Sequence, residues 1–160
     1  MYKGLAVAVV VPAHQEQRHI AAVIATMPVW VDHIIVIDDA SSDATFDVAT
    51  AAADARTEVI RHDKNTGVGG AIVTGHSRAL ELGADVSVVM AGDGQMDPNY
   101  LPQLLDPIAD DGYGFAKANR FYSMQSIERM PRLRVFGNMV LTFLTKSASG
   151  YWDLVDPQNG

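Results

Sequence analysis

The chain contains no cysteine. That excludes a disulfide framework, a thiolate zinc site and a thiol nucleophile, and it fits a reducing compartment. Long apolar runs are missing as well. The longest near the start, Leu5 to Val11, has seven residues, whereas a membrane-crossing helix needs about 20. Pro12-Ala13-His14-Gln15-Glu16 follows that run, where a signal peptide would carry more apolar residues and a cleavage site. Basic residues are few, 12 against 19 acids, for a net charge of −7. Such an acidic body is unsuited to nucleic acid, which needs a basic stripe to neutralise phosphates. These absences predict a cytoplasmic protein whose chemistry comes from oxygen, nitrogen or a metal.

What the chain does contain is ordinary globular material, 160 residues with 48% hydrophobic and 19% charged content. That length supports one domain with a real core. Charge is uneven, because residues 1–116 hold 16 acids and 6 bases, and residues 117–160 hold 3 acids and 6 bases. The basic cluster Lys117, Arg120, Arg129, Arg132 and Arg134 suits a phosphate-bearing partner, or simply a solvated helix face.

Short valine- and isoleucine-rich runs alternate with helical spacing. Strands are expected at Leu5–Val11, His33–Ile37, Glu58–Arg61, Asp85–Met90 and Gly114–Ala118. Helices are expected over Glu16–Met27, Ala44–Ala55, from the Asn65–Gly70 turn through Leu82, and over Asn99–Ile108. Ser41, Ser42 and Asp43 offer caps for the second helix. Strands buried on both faces read as continuous apolar runs, and this alternation predicts an α/β fold, a Rossmann-like, doubly wound, mainly parallel sheet with helices on both faces. From Arg129 onward, Leu133, Phe136, Val140, Leu141, Phe143 and Leu144 predict one longer amphipathic helix. The chain then stops in the polar turn Asp156-Pro157-Gln158-Asn159-Gly160, so it is expected to be part of a longer protein.

Polar residues gather just past the carboxyl ends of the strands: His14, Gln15 and Glu16, then Asp38 and Asp39, then Asn65 to Gly70, then Asp93 to Asp97. In an open α/β sheet those ends face one crevice. Carboxylates on three of the turns would repel one another unless a cation or ligand donors answered them, which predicts a metal or a nucleotide. Neither GxGxxG after the first strand nor the P-loop pattern GxxxxGK is present, so the usual dinucleotide and nucleoside-triphosphate signatures are excluded.

Five ordered stretches, VVVPAHQE, IIVIDDASSDAT, NTGVGGAIVTGHSRA, VVMAGDGQMDP and DPQNG, resemble the family 2 inverting glycosyltransferases of GT-A fold. The nearest likeness is to the branch containing dolichyl-phosphate mannose synthases and polyprenyl-phosphate glucosyltransferases. The resemblance covers residues 7 to 160. It implies a single domain over 1–160 lacking its C-terminal part, with residues 1–116 as the nucleotide-sugar half and 117–160 as the start of the acceptor half.

The same resemblance implies roles. Pro12, Ala13, His14 and Glu16 match a segment lying against the nucleotide's base and ribose, with His14 in place of an aromatic and Gln15 in place of an asparagine. Asp39 matches the acid that reads the base, with Asp38 its neighbour; helix capping is the plain alternative for both. Asn65 and Gly67 match the turn near base and phosphates, while Gly69 and Gly70 ease helix packing. Asp93 matches the last carboxylate of an Asp-x-Asp motif that holds Mg²⁺ or Mn²⁺ on the donor diphosphate, but Ala91 stands where the first acid would be. A hard cation that keeps its waters and shares phosphate oxygens can manage with one carboxylate. Gln95 and Asp97 lie close by, the latter also a natural N-cap before Pro98. Lys117, Arg120 and Arg132 are implied to hold an acceptor phosphate, and Asp156 to act as base or acceptor-orienting group.

The expected activity is therefore transfer of a sugar from a UDP- or GDP-linked donor to an acceptor such as a polyprenyl phosphate, with inversion, at the inner face of the membrane and in service of the cell envelope. Catalytic weight falls on Asp93 and Asp156. A module that binds a nucleotide-sugar without turnover is the alternative, because one metal ligand is missing. A nucleotidyltransferase is disfavoured, since its basic, glycine-rich first loop is replaced by PAHQE. Apolar surface left by a missing C-terminal part would favour a homo-oligomer.

Overall fold

The computed structural model describes residues 1–118 and 132–150. Four strands, β1 (Val7–Ala13), β2 (His33–Asp38), β3 (Thr57–Arg61) and β4 (Val86–Val89), form one sheet in the order β3-β2-β1-β4. Every pairing is parallel. The helices are α1 (Ile20–Ala25), α2 (Thr45–Ala52), α3 (Gly67–Glu81), α4 (Leu101–Asp111) after a 3-10 turn at Pro98–Tyr100, and α5 (Arg132–Ser149). Met1–Gln103 and Leu104–Gly160 form separate compact units.

Both faces of the sheet are covered, as the continuous apolar runs require. Side chains alternate across a strand, so β1 and β2 feed two cores. Val9, Val11, Ile34 and Val36 join Ile20, Val23, Ile24 and Ala49 of α1 and α2 on one face. Ala8, Ile35 and Ile37 join Ala71 and Ala79 of α3 on the other. Helix α3 comes very close to β1: a Cβ added at Gly75 would lie 2.1 Å from Val10 Cγ1.

Several boundaries differ from the sequence expectation. β1 runs through Pro12 to Ala13. Gly92 N donates to the Pro12 carbonyl at 3.1 Å, so the missing N–H of Pro12 faces the side where β4 has ended, a position a proline tolerates. Helix α1 starts only at Ile20, because Glu16 N donates to Thr45 Oγ1 at 2.8 Å and Gln17 N to Asp43 Oδ2 at 3.4 Å, binding the entry loop to the start of α2. The expected caps of α2 are divided: Asp43 accepts from Thr45 N, whereas Ser41 Oγ accepts from Gln15 N.

Gly114–Ala118 is not a strand. Gly112 sits at φ +72, Gly114 follows two residues later, and Phe115 is exposed, so the segment lacks the buried, extended character of β1 and β2. In the second unit α5 forms as the amphipathic spacing predicts, with Met139, Leu141, Phe143 and Leu144 exposed. Among the described residues no helix is long and apolar enough to cross a membrane.

Candidate functional site

The carboxyl ends of β1, β2 and β4 and the start of α3 enclose a cavity of about 280 Å³. Pro12, Ala13, His14 and Glu16 line it from β1, Asp39 from β2, Asn65, Gly67, Val68 and Ala71 from the α3 turn, and Ala91, Gly92 and Asp93 from β4. Four turns distant in sequence therefore meet at one place, as parallel topology dictates.

His14 fastens three of these turns together. Its Nδ1 donates to the Asp39 carbonyl at 2.9 Å, which leaves Nε2 to accept from the Gln15 amide at 3.4 Å, while the Asn65 amide nitrogen lies against the ring, 3.3 Å from Nδ1 and 3.4 Å from Nε2. Asn65 Oδ1 in turn accepts from Gly67 N at 2.9 Å. Gly67 sits at φ +77, a conformation that favours glycine and lets backbone line the cavity.

Asp39 is almost fully buried, and its Oδ1 accepts from His62 Nδ1 at 2.8 Å, Thr66 N at 2.8 Å and Thr66 Oγ1 at 2.9 Å. Burial would raise its pKa. The Thr66 and Gly67 N–H groups, His62 and the Thr66 hydroxyl together overcome that and hold it below the ordinary carboxylate value. Capping is thus part of its role, at the start of α3 rather than of α2. His62 is braced on its far side by Thr74 Oγ1, 3.0 Å from Nε2.

Asp38 goes elsewhere. It is fully buried and does not line the cavity. Oδ1 accepts from Ser41 N at 3.3 Å, and Arg61 Nε lies 3.2 Å from Oδ2 without the alignment of a hydrogen bond. The repulsion expected among strand-end carboxylates is therefore answered by protein groups at Asp38 and Asp39. Arg61, His62 and Thr66, which do this work, were not singled out from the sequence. Their signal was the polar run RHDKNT at the end of β3.

At the β4 end, Gly92 packs so tightly that an added Cβ would lie 3.1 Å from Ala13 Cβ and from the Pro12 carbonyl. Asp93 is half-buried, and Oδ1 accepts from Gln95 N at 3.0 Å, leaving Oδ2 for a ligand. Among the described residues no group of three His, Cys, Asp or Glu side chains could hold a metal. A single hard carboxylate fits Mg²⁺ or Mn²⁺ only if phosphate oxygens and water complete the shell. Asp93 also borders a second cavity of about 390 Å³ with Arg18, His19, Gln95 and Asp97. Asp97 there caps the 3-10 turn by accepting from Asn99 N at 2.9 Å.

Lys117 belongs to the second unit. Arg132 begins α5, and Arg120 and Asp156 lie outside the described residues.

Comparison with known proteins supplies independent context. The sequence pattern of the family described as Glycosyl transferase family 2 matches residues 8–158. A UDP-N-acetylglucosamine–dolichyl-phosphate N-acetylglucosaminyltransferase of Methanococcus voltae is 30% identical, over 94% of this chain and 66% of its own length. A polyprenol monophosphomannose synthase of Mycolicibacterium smegmatis is 28% identical over 91% of this chain and 53% of its own. The chain thus spans less than two thirds of the length of either relative. Among solved structures, glucosyl-3-phosphoglycerate synthase of Mycobacterium tuberculosis in complex with Mn²⁺, UDP and glucosyl-3-phosphoglycerate superposes with a TM-score of 0.54 and 27% identity, over 67% of this chain and 40% of that one.

Proposed function

The chain belongs to glycosyl transferase family 2, and from that premise we propose that it carries the donor site of an inverting transferase that moves a sugar from a nucleotide-sugar to a polyprenyl-phosphate-type acceptor. The observation that carries this reading is the convergence of Asp39, His14, Asn65 and Asp93 on one cavity at the strand ends. Those groups are an acceptor for a base, an exposed ring, an amide turn and a carboxylate for a metal-bound diphosphate. The relatives' own descriptions, dolichyl-phosphate in one and polyprenol in the other, support the acceptor class.

In this reading the base lies against Asp39 and the His14 loop, and the diphosphate extends toward Asp93. Asp93 would hold Mg²⁺ or Mn²⁺ together with donor phosphate oxygens, and the bound ion would supply positive charge against the leaving diphosphate. Attack in line on the anomeric carbon forms the new C–O bond as the bond to the diphosphate breaks, which inverts configuration. A lipid phosphate is already an anion, so no strong general base is needed. Lys117, Arg120 and Arg132 would position that phosphate, and Asp156 would orient the acceptor. Such an acceptor would put the reaction at a membrane surface, the inner one in this reading.

Titration calorimetry of nucleoside diphosphates with and without Mn²⁺, repeated on Asp93→Ala, tests the proposal. Metal-dependent binding weakened about tenfold or more in the variant is expected. Unchanged metal-dependent binding in Asp93→Ala would remove Asp93 from the site, and absence of any nucleotide binding would overturn the reading.

A further inference from the structure

We propose that the Met96 thioether is a positioning residue for Asp93, closing the turn after β4 in a chain that has Ala91 in place of the motif's first acid; the inference rests on the metal reading of Asp93 given above. Every backbone N–H needs a partner, and those at the end of β4 can be accounted for one by one. Val86 N, Met90 N and Gly92 N donate to the carbonyls of Ala6, Val10 and Pro12 at 3.1, 2.9 and 3.1 Å, all toward β1. Ala91 N lies between the last two and points to the opposite edge. Beyond β4 the sheet has no further strand among the described residues. There Ala91 N donates to Met96 Sδ at 3.4 Å. Met96 is 37% exposed, so core packing alone does not explain its place.

The contact spans the metal turn. Ala91 and Met96 bracket Gly92, Asp93, Gly94 and Gln95, so the bond ties together the two ends of the segment that presents Asp93. Gly92 fixes its start, since an added Cβ would lie 3.1 Å from the Pro12 carbonyl. Gly94 at φ +73 reverses the chain, and Gln95 N donates to Asp93 Oδ1 at 3.0 Å. No other hydrogen bond among the described residues ties the far end of this turn back to β4. A thioether is a weak acceptor, but here it acts on a short loop with one start already fixed. Two carboxylates restrain each other through a shared ion. A single one depends on its turn for direction, so a small displacement of the loop is felt directly in metal affinity. Met96 thus acts through Asp93.

Leucine and asparagine separate volume from hydrogen bonding. Leu Cδ and Asn Oδ1 both occupy the δ position, as the sulfur does, but only the amide oxygen accepts a hydrogen bond. Because the side chain is exposed, neither substitution opens a cavity in the core. The test is calorimetric titration of the whole chain, as wild type, Met96→Leu and Met96→Asn, with UDP and GDP, each with and without Mn²⁺. For the diphosphate that binds, Met96→Leu should lose about five- to tenfold of the affinity that Mn²⁺ adds and keep its metal-free affinity, and Met96→Asn should recover the loss. The Ala91 amide should exchange with solvent about tenfold faster in Met96→Leu than in wild type and slow again in Met96→Asn. Undiminished metal dependence in Met96→Leu overturns the inference and leaves Asp93 as the ligand. Equal losses with and without Mn²⁺, or equal losses in both variants, also overturn it, since the side chain then serves packing and not the direction of Asp93. A wild type that binds a diphosphate with no gain from Mn²⁺, or binds neither, overturns the metal reading of Asp93 and this inference with it.

Discussion

Arg61 Nε lies 3.2 Å from Asp38 Oδ2, and the two residues are register partners at the ends of the neighbouring strands β3 and β2. The guanidinium also donates from Nη2 to the Ser41 carbonyl at 2.9 Å and stands 5.3 Å over the Phe46 ring. One side chain therefore neutralises a fully buried carboxylate and fixes the loop that carries Asp39 into the cavity.

Arg61→Met keeps the aliphatic stem and removes the charge. Breaking a buried pair usually costs 3–5 kcal/mol, but Arg61 is about half exposed, so water softens the loss and a destabilisation of about 1–3 kcal/mol is expected. Adding Asp38→Asn, which retains the Oδ1 acceptor for Ser41 N, should recover much of it. Urea denaturation of the two single variants and the double variant reads this out. Additive effects would show that the pair does not interact.

Acid should weaken the fold through Asp32, Asp39 and Asp43. For each, burial pushes the pKa up, but hydrogen bonds outweigh it and hold the value below the ordinary 3.8. The donors are the terminal amine and Val7 N at Asp32, Thr66 and His62 at Asp39, and Thr45 at Asp43. With the folded pKa depressed, the unfolded chain binds more protons in that window. The contribution is complete above the unfolded pKa of about 3.9 and is lost as pH falls through the folded values. Urea midpoints should therefore drop steeply below about pH 4, and Asp39→Asn should make that slope shallower. A slope unchanged in Asp39→Asn would contradict the assignment.

The sheet was legible because strands buried on both faces can hide only apolar side chains. LAVAVVV and HIIVI have no other economical fold, and the parallel order follows from the helices between them. The cavity wall was legible for the same topological reason: polar residues directly after such runs must sit at the strand ends, which located His14, Asp39, Asn65 and Asp93. Pairing across strands was not. That Asp38 meets Arg61, and Asp39 meets His62 and Thr66, depends on register between β2 and β3, which periodicity does not encode. Backbone handedness was hidden too. Gln15 and Ala40 adopt φ +59 and +54 in the loops after β1 and β2, where neither residue type announces it. The tethering of these loops to Ser41 and Thr45 likewise shortened a helix that spacing alone would have begun at Glu16. Gly114–Ala118 failed as a strand because a short segment opened by Gly112 and Gly114 and interrupted by Lys117 carries no information about a neighbour to pair with.

Gly75 offers the sharpest test of how α3 is seated on the sheet. An added Cβ would fall 2.1 Å from Val10 Cγ1 and 3.1 Å from Val10 Cβ, in the middle of the central strand. Val10 is fully buried and fixed between β2 and β4, so it has little room to turn aside. Gly75→Ala would normally gain helix propensity. Here the clash dominates, and a net loss of about 1–3 kcal/mol is expected. Val10→Ala alone should also destabilise, by leaving a void beneath α3. Because the new methyl group fills the space the valine vacates, the double variant should lose less than the sum of the singles by about 1 kcal/mol. Since α3 begins at Gly67 and its N-cap Thr66 donates to Asp39, a tilt of the helix in Gly75→Ala should also weaken binding of the nucleoside diphosphate proposed above, and Val10→Ala should restore it together with stability. Restored stability without restored binding would separate the seating of α3 from the geometry of Asp39.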